Sequence, residues 1–170
     1  MSAVLWRGKR ALVCGLAGVD SCLCEPLLFM KRKASAVWRG DLKSGRGTIS
    51  TESTVLKDAQ YSFGTRFENG PGTNPEELIG AAHAGCFSMA LSAELQKAGF
   101  TAESIATTAT VTLENHPQTS WTITKVDLAT TAKIPNISEG QFIEIANGAK
   151  AGCPISRLLK AEITLNAKLE

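Results

Sequence analysis

Two cysteines of this chain stand where a thiol can do chemistry. Cys86 lies in the run Gly80 to Ala90 (GAAHAGCFSMA), inside what reads as a helix of small residues, and Cys153 stands between Gly152 and Pro154 at the start of a second helical turn. Free cysteine is among the most buried residue types and behaves as a small hydrophobe, so packing alone accounts for Cys86 taken singly. Cys153 differs. At an N-cap position its sulfur meets unpaired backbone N–H groups and the positive end of the helix dipole, which favour the thiolate. The plainer account, a mediocre cap tolerated at a buried junction, stays open. If the fold brings the two within disulfide reach, with Cα atoms about 4.4–6.8 Å apart, a further reaction is available. One thiolate can attack a peroxide oxygen and become a sulfenic acid, and the other can condense with it and release water.

A mid-helix cysteine needs a cation to ionise near neutral pH, because the N–H groups around it are already used by the helix. Arg66 is the candidate: it is always charged, and its rigid fork lets one acidic partner hold it while a free N–H faces the sulfur. Taken alone it also reads as a solvated strand residue. His83 is three residues before Cys86 and shares its helix face,. A Cys–His pair would serve acyl transfer. Against that class, the chain has no G-x-S-x-G elbow and no defined third member,. Polar packing at a pocket or dimer rim is the reading adopted for His83, and a solvent-facing turn for His116, which precedes Pro117.

These residues depend on the elements that carry them. Lys33 to Trp38 and Gly47 to Glu52 read as two short strands around a glycine-rich connection, Gly40 to Gly45,. Gln60 to Glu68 (QYSFGTRFE) alternates, with Tyr61, Phe63 and Phe67 on one side and Arg66 projecting from the other,. Asn74-Pro75-Glu76-Glu77 opens a long helix: Asn74 as N-cap, Pro75 at N1 and Glu77 closing a capping box,. The helix runs to Ala98 and stops at Gly99. Leu78, Ile79, Ala82, Cys86, Met89, Ala90 and Ala93 form its expected apolar stripe. Ser104 to Glu114 alternates, and the following strand flips its buried parity between Thr124 and Lys125, as a β-bulge would. Ser138 with Gln141 caps a helix from Glu139 to Lys150 whose inner stripe is Phe142, Ile145, Ala146 and Ala149,. Ile163 to Leu169 alternates as a half-solvated strand. The order of elements predicts an α+β class, with helices lying on sheets.

At 170 residues the chain suits one domain,. Its formal charge of +2 is uneven, since Met1 to Lys33 holds six of the 18 basic residues and two of the 16 acidic ones. The remainder is therefore slightly acidic, with no electrostatic footprint for nucleic acid. No run approaches the roughly 18 apolar residues needed to cross a bilayer, so no membrane partner is expected. Of five cysteines, Cys14, Cys22 and Cys24 fall early, and Cys22-Leu23-Cys24 has no metal-site spacing,. Residues 1–32 read as a leader outside the domain, disordered or misassigned, with translation starting at Met30. Residues 33–170 read as the single domain.

The runs Tyr61 to Glu68 (YSFGTRFE), Gly72 to Ala90 (GTNPEELIGAAHAGCFSMA) and Ala149 to Ser156 (AKAGCPIS) resemble the OsmC branch of the OsmC/Ohr family of osmotically inducible and organic hydroperoxide resistance proteins. The resemblance covers about Lys33 to Glu170. It implies a cytoplasmic thiol peroxidase with antiparallel sheets packed on a long central helix. It also implies an intertwined homodimer whose two active sites lie near the subunit interface. Cys86 matches the peroxidatic cysteine, Cys153 the resolving one, Glu76 the glutamate that holds the active-site arginine, and Arg66 that arginine, with Arg46 in reserve. Organic hydroperoxides, and hydrogen peroxide, are the implied substrates, and a dithiol such as protein-bound dihydrolipoamide the implied reductant. No metal, haem, flavin or other cofactor is called for. A non-catalytic dimer binding small ligands in an apolar pocket of Tyr61, Phe63, Phe67 and Phe87 is the remaining alternative.

One geometric constraint follows. On a straight helix Glu76 and Cys86 are about 15 Å apart along the axis and about 80° apart around it. Either the helix breaks near Gly80, or the carboxylate and the sulfur belong to different chains.

Overall fold

The computed structural model describes residues 30–170. The leader expected over residues 1–32 lies outside them except for Met30 to Arg32, which are exposed and belong to no element. Cys14, Cys22 and Cys24 are outside as well.

Ten elements follow one another: β1 (Ala34–Arg39), β2 (Arg46–Thr51), β3 (Ala59–Ser62), α1 (Phe63–Phe67), α2 (Pro75–Lys97), β4 (Ser104–His116), β5 (Ser120–Lys133), α3 (Glu139–Gly152), α4 (Pro154–Leu158) and β6 (Glu162–Leu169). The α+β class expected from the pattern is the one observed. Two three-stranded sheets form, β1-β2-β3 and β4-β5-β6. The first is antiparallel throughout. The second is mixed, because β6 runs parallel to β5 while β4 runs antiparallel to it. This corrects the expectation of antiparallel sheets: α3 and α4 form the crossover between β5 and β6, and a crossover returns the chain in its original direction.

The caps of α2 behave as their residue types demand. The Asn74 side chain accepts the Glu77 backbone N–H, and Pro75 occupies N1. The capping box is only half made, since the Glu77 carboxylate accepts the Thr73 hydroxyl rather than turning back to the cap N–H. At the other end Gly99 sits at φ 86°. The Gly99 N–H donates to the Gln96 carbonyl and the Phe100 N–H to the Leu95 carbonyl, a Schellman closure,. The Ser138–Gln141 box of α3 is complete. The bulge in β5 is also present: Thr112 faces Lys125 and Leu113 faces Ile123, which leaves Thr124 unpaired.

Two readings of local structure need correction. The strand expected over Gln60 to Glu68 ends at Ser62, and Arg66 lies on helix α1. Ser62 caps that helix reciprocally with Thr65, so the chain turns helical where a strand would have continued. Phe63 and Phe67, four residues apart, still share a face and stack with ring centroids 4.8 Å apart,. The second correction concerns α2, whose buried face carries Gly80, His83, Phe87, Leu91 and Leu95. Met89, expected inside, is 77% exposed, and Ala82 and Ala93 are exposed with it. Small residues all round the helix leave the bulky ones to choose the face, because they have the most area to remove from water; each of Phe87, Leu91 and Leu95 contributes about 1.5–3 kcal/mol on burial.

The core joins these three to Leu128 and Ala132 of β5, Phe142, Ala146 and Ala149 of α3, and Cys153. Phe87 thus belongs to the core and not to an aromatic pocket. By length and composition alone α2 is apolar enough to cross a membrane, against the reading that no segment is. Its bulky side chains are spent instead on packing against β5 and α3. The β1-β2-β3 sheet stands apart from this core, and all six residues of β1 are exposed.

Candidate active site

The two sulfurs predicted to work together do meet. Cys153 is fully buried at the junction of α3 and α4, Cys86 is half-buried on α2, and their Sγ atoms are 3.1 Å apart. Both are free thiols, well inside the distance from which a bond of about 2.05 Å closes with small movement,. The tertiary fold brings them together across 67 residues of sequence by packing α4 against α2.

Their environments differ. Burial pushes the Cys86 thiol up, hydrogen bonding with Cys153 pushes it further, and the Ile155 amide offsets only part. Burial also acts against the Cys153 thiolate. The Ser156 amide, the contact with Cys86, the Ser156 hydroxyl and the Ile155 amide together outweigh it and bring the Cys153 thiol below its ordinary range. Within one chain, then, the surroundings press the two thiols in opposite directions, Cys86 away from ionisation and Cys153 toward it, while the Cys153 sulfur, expected to meet free N–H groups at the start of α4, makes no side-chain cap hydrogen bond there,. Among the described residues, no cation is one of the groups that set the ionisation of Cys86.

The guanidinium expected beside Cys86 is held elsewhere. The Arg66 Nε donates to both Glu76 carboxylate oxygens, at 3.1 and 3.2 Å, and Nη2 donates to Oε1 at 2.7 Å. Helix α1 and the first turn of α2 present these groups to each other. Asn74 ties the two elements further by donating from Nδ2 to the Thr65 carbonyl, and Arg66 also lies over the Phe67 ring, 5.3 Å from its centroid. Arg66 borders an open groove of about 310 Å³ lined also by Trp38, Leu42, Tyr61, Phe63 and Phe67. Trp121 extends the aromatic wall through Phe67, with centroids 5.0 Å apart. Because α2 is continuous from Pro75 to Lys97, the Arg66–Glu76 clamp and Cys86 of one chain are separated by about 15 Å of helix,. The break near Gly80 is absent. Arg46, the reserve candidate, is exposed at the start of β2 and makes no ion pair among the described residues.

His83 is fully buried, and its Nε2 lies 2.8 Å from the Ser156 hydroxyl. Burial lowers its pKa, so the ring is neutral at pH 7. Its partner is Ser156 rather than Cys86, so the Cys–His pairing that acyl transfer requires is not formed. Ser156 itself was not singled out from the sequence. Its only local signal was its place three residues after the Cys153 cap, at N3 of α4. His116 lies at the exposed end of the β4–β5 hairpin, as its turn position predicted.

Residues 68–168 match the family model described as OsmC-like protein. The chain is 55% identical over 143 residues to the peroxiredoxin OsmC of Escherichia coli K12, covering 84% of this chain and 99% of that protein. Among solved structures it superposes on an OsmC-like protein of unknown function from Vibrio cholerae with a TM-score of 0.66 at 17% identity, covering 82% of this chain and 99% of the other. It also superposes on the organic hydroperoxide resistance protein OhrB of Bacillus subtilis with a TM-score of 0.59 at 21% identity, covering 81% and 98%. At these identities the two superpositions establish a shared fold.

Proposed function

The chain belongs to the OsmC-like protein family, and from that premise we propose that it is a thiol-dependent peroxidase that reduces organic hydroperoxides and hydrogen peroxide. The observation that carries the reading is the 3.1 Å approach of the Cys86 and Cys153 sulfurs. Cys86 thiolate attacks the distal oxygen of ROOH, the O–O bond breaks, and the alkoxide takes a proton and leaves as alcohol. The resulting Cys86 sulfenic acid is attacked by Cys153. The S–O bond breaks, water departs, and a disulfide remains. A dithiol of the dihydrolipoamide class returns two electrons and reopens it.

The peroxidatic step needs Cys86 ionised, and no cation among the described residues of its own chain serves that. A second copy of this chain is the source proposed, with the partner subunit's Arg66 and Glu76 set beside Cys86 in an intertwined homodimer. Three features support such a dimer. The clamp is fully formed yet about 15 Å of helix from the sulfur in its own chain,. The outer face of α2 is small and apolar, with Ala82, Gly85, Met89 and Ala93 exposed. The first sheet exposes Val37 and Trp38 without a layer to cover them,. In that arrangement the aromatic groove beside Arg66 takes the alkyl part of the peroxide. A reducing cytoplasm, which keeps such thiols cycling, is the location proposed.

Peroxide titration followed by intact mass and peptide mapping tests the reading. The expected product is a Cys86–Cys153 link formed at one equivalent. The Cys86→Ser variant is expected to lose turnover outright, and Cys153→Ser to permit one oxidation and then stall. Near-normal turnover in both would refute the assignment, and peroxide left unconsumed by the intact protein would favour the ligand-binding alternative.

A further inference from the structure

The two sulfurs are unequally open. Cys86 is half-buried, and its neighbours one helical turn away on either side, Ala82 and Met89, are exposed,. Cys153 has no exposed surface and belongs to the core cluster with Phe87, Phe142 and Ala149. Its backbone is pinned as well: the Cys153 N–H donates to the Ala149 carbonyl, and the Cys153 carbonyl accepts the Arg157 N–H. The adjoining helix cannot easily lift away, because the Ser156 hydroxyl of α4 lies 2.8 Å from the buried His83 Nε2 of α2. Closing the 3.1 Å gap to a bond of about 2.05 Å moves each sulfur by only about half an ångström, so the oxidised pair keeps this asymmetry,.

Displacement at sulfur is collinear. When Cys153 attacks the Cys86 sulfenic acid, its sulfur comes from the core side, and the hydroxide leaves on the opposite, outward side of Cys86. A thiolate entering along that outward line meets the Cys86 sulfur with Cys153 directly behind it. A thiolate bound for Cys153 would instead have to enter the core cluster. Peroxide must reach Cys86 for any turnover, so an approach to that sulfur is already required, whereas nothing in the cycle requires one to Cys153.

We propose that the reducing dithiol attacks the Cys86 sulfur of the disulfide and expels Cys153 as the leaving thiolate, so that one opening beside α2 admits first the peroxide and then the reductant. The inference rests on the peroxidase reading above and assigns the sulfur at which its second half-reaction takes place. The first thiolate of the dithiol forms an S–S bond to Cys86 as the Cys86–Cys153 bond breaks, and Cys153 takes up a proton. The second thiolate then closes on the first sulfur of the dithiol, expels Cys86 and completes a cyclic disulfide. Two electrons pass to the protein, and both cysteines return to the thiol state. The ionisation of the pair favours the same direction, since the thiol of lower pKa leaves faster, and Cys153 lies below its ordinary range while Cys86 lies above its own,.

The test uses a monothiol, 2-mercaptoethanol, which makes the first bond and cannot close on itself. The full chain is oxidised separately with one equivalent of tert-butyl hydroperoxide and with diamide, mixed with 2-mercaptoethanol, and acid-quenched at successive short times. Free thiols are then alkylated in denaturant, and peptide mapping locates the adduct. At least about tenfold more adduct is expected on Cys86 than on Cys153, and in guanidinium chloride the preference is expected to fall within about twofold, because unfolding opens both sulfurs. Equal labelling of the folded chain, or an excess on Cys153, would overturn the proposal, as would a preference that unfolding leaves unchanged. If Cys153 recloses the bond too fast for trapping, reduction by dithiothreitol decides, comparing Cys153→Ser carrying mercaptoethanol on Cys86 with Cys86→Ser carrying it on Cys153. The Cys86 adduct is expected to react at least about tenfold faster, and equal rates would overturn the proposal. A disulfide formed by diamide and not by the hydroperoxide would overturn the peroxidase reading alone, since the mapped adduct still decides which sulfur is attacked.

Discussion

Replacing Arg66 by alanine separates two geometries whose electrostatics differ by an order of magnitude. Acting only within its own chain, the guanidinium is about 15 Å of helix from the Cys86 sulfur, where two unit charges in water interact by about 0.3 kcal/mol. Salt, with a screening length of about 8 Å, reduces even that. Peroxide oxidation of Cys86 would then change less than about twofold. Seated by a partner subunit at about 4 Å, with an effective dielectric of about 20, the same charge is worth about 4 kcal/mol, or about three units of thiol pKa. A cysteine near its ordinary value of about 8.5 is only a few per cent ionised at pH 7, and burial moves Cys86 further from ionisation. Loss of the cation is therefore expected to slow oxidation at least about thirtyfold. The assay is stopped-flow oxidation of the reduced protein by tert-butyl hydroperoxide, followed by subunit mixing. Arg66→Ala chains keep Cys86, and Cys86→Ser chains keep Arg66. After exchange, half of the dimers are mixed and one of their two sites is whole, so about a quarter of wild-type turnover returns. An Arg66→Ala rate within about twofold of wild type would refute the reasoning. A large loss with no recovery on mixing would refute the shared site.

Other perturbations reach different links of the chain. Met89→Glu places a charge on the exposed apolar face of α2, and its expected outcome is a shift from dimer to monomer in sedimentation, with turnover lost in parallel. Phe142→Ala empties a fully buried position between α3 and the sheet, and should lower unfolding free energy by about 3–5 kcal/mol in a denaturant titration. Gly99→Ala forces a Cβ into a position at φ 86°, so the denaturation midpoint should fall even though open space surrounds the glycine,. His83 has its folded-state pKa depressed by burial, so the unfolded chain binds the proton first. Stability is then full above the unfolded value of about 6.5 and falls as pH drops below it. The His83→Gln variant should flatten that dependence between pH 7 and 5.

Much of the architecture was legible because single residues at element ends admit few interpretations. Asn74-Pro75 and Gly99 bound α2, Ser138 with Gln141 opens α3, and the parity flip at Thr124 marks the bulge. Where two periods agree, the pattern misled. Tyr61 and Phe63 alternate as a strand requires, yet Phe63 and Phe67 are also one helical turn apart, and only the reciprocal Ser62–Thr65 bonds distinguish the two. On α2 the many alanines blurred the periodicity, and the buried face is picked by Phe87, Leu91 and Leu95 together with a histidine that counts as polar in any stripe.

By itself the sequence determined which groups are available, two thiols, an arginine and a glutamate, and that Glu76 opens one helix while Cys153 stands at the start of another. It also determined, through helix rise alone, that Glu76 and Cys86 cannot meet on one unbroken α2. Only the tertiary structure decided that helix is unbroken, that the two sulfurs touch, and that His83 turns to Ser156 rather than to its own neighbour in sequence. Those outcomes depend on how α4 docks against α2 and how β6 returns beside β5, and such docking is set by summed packing over many residues. No local pattern of side chains encodes it.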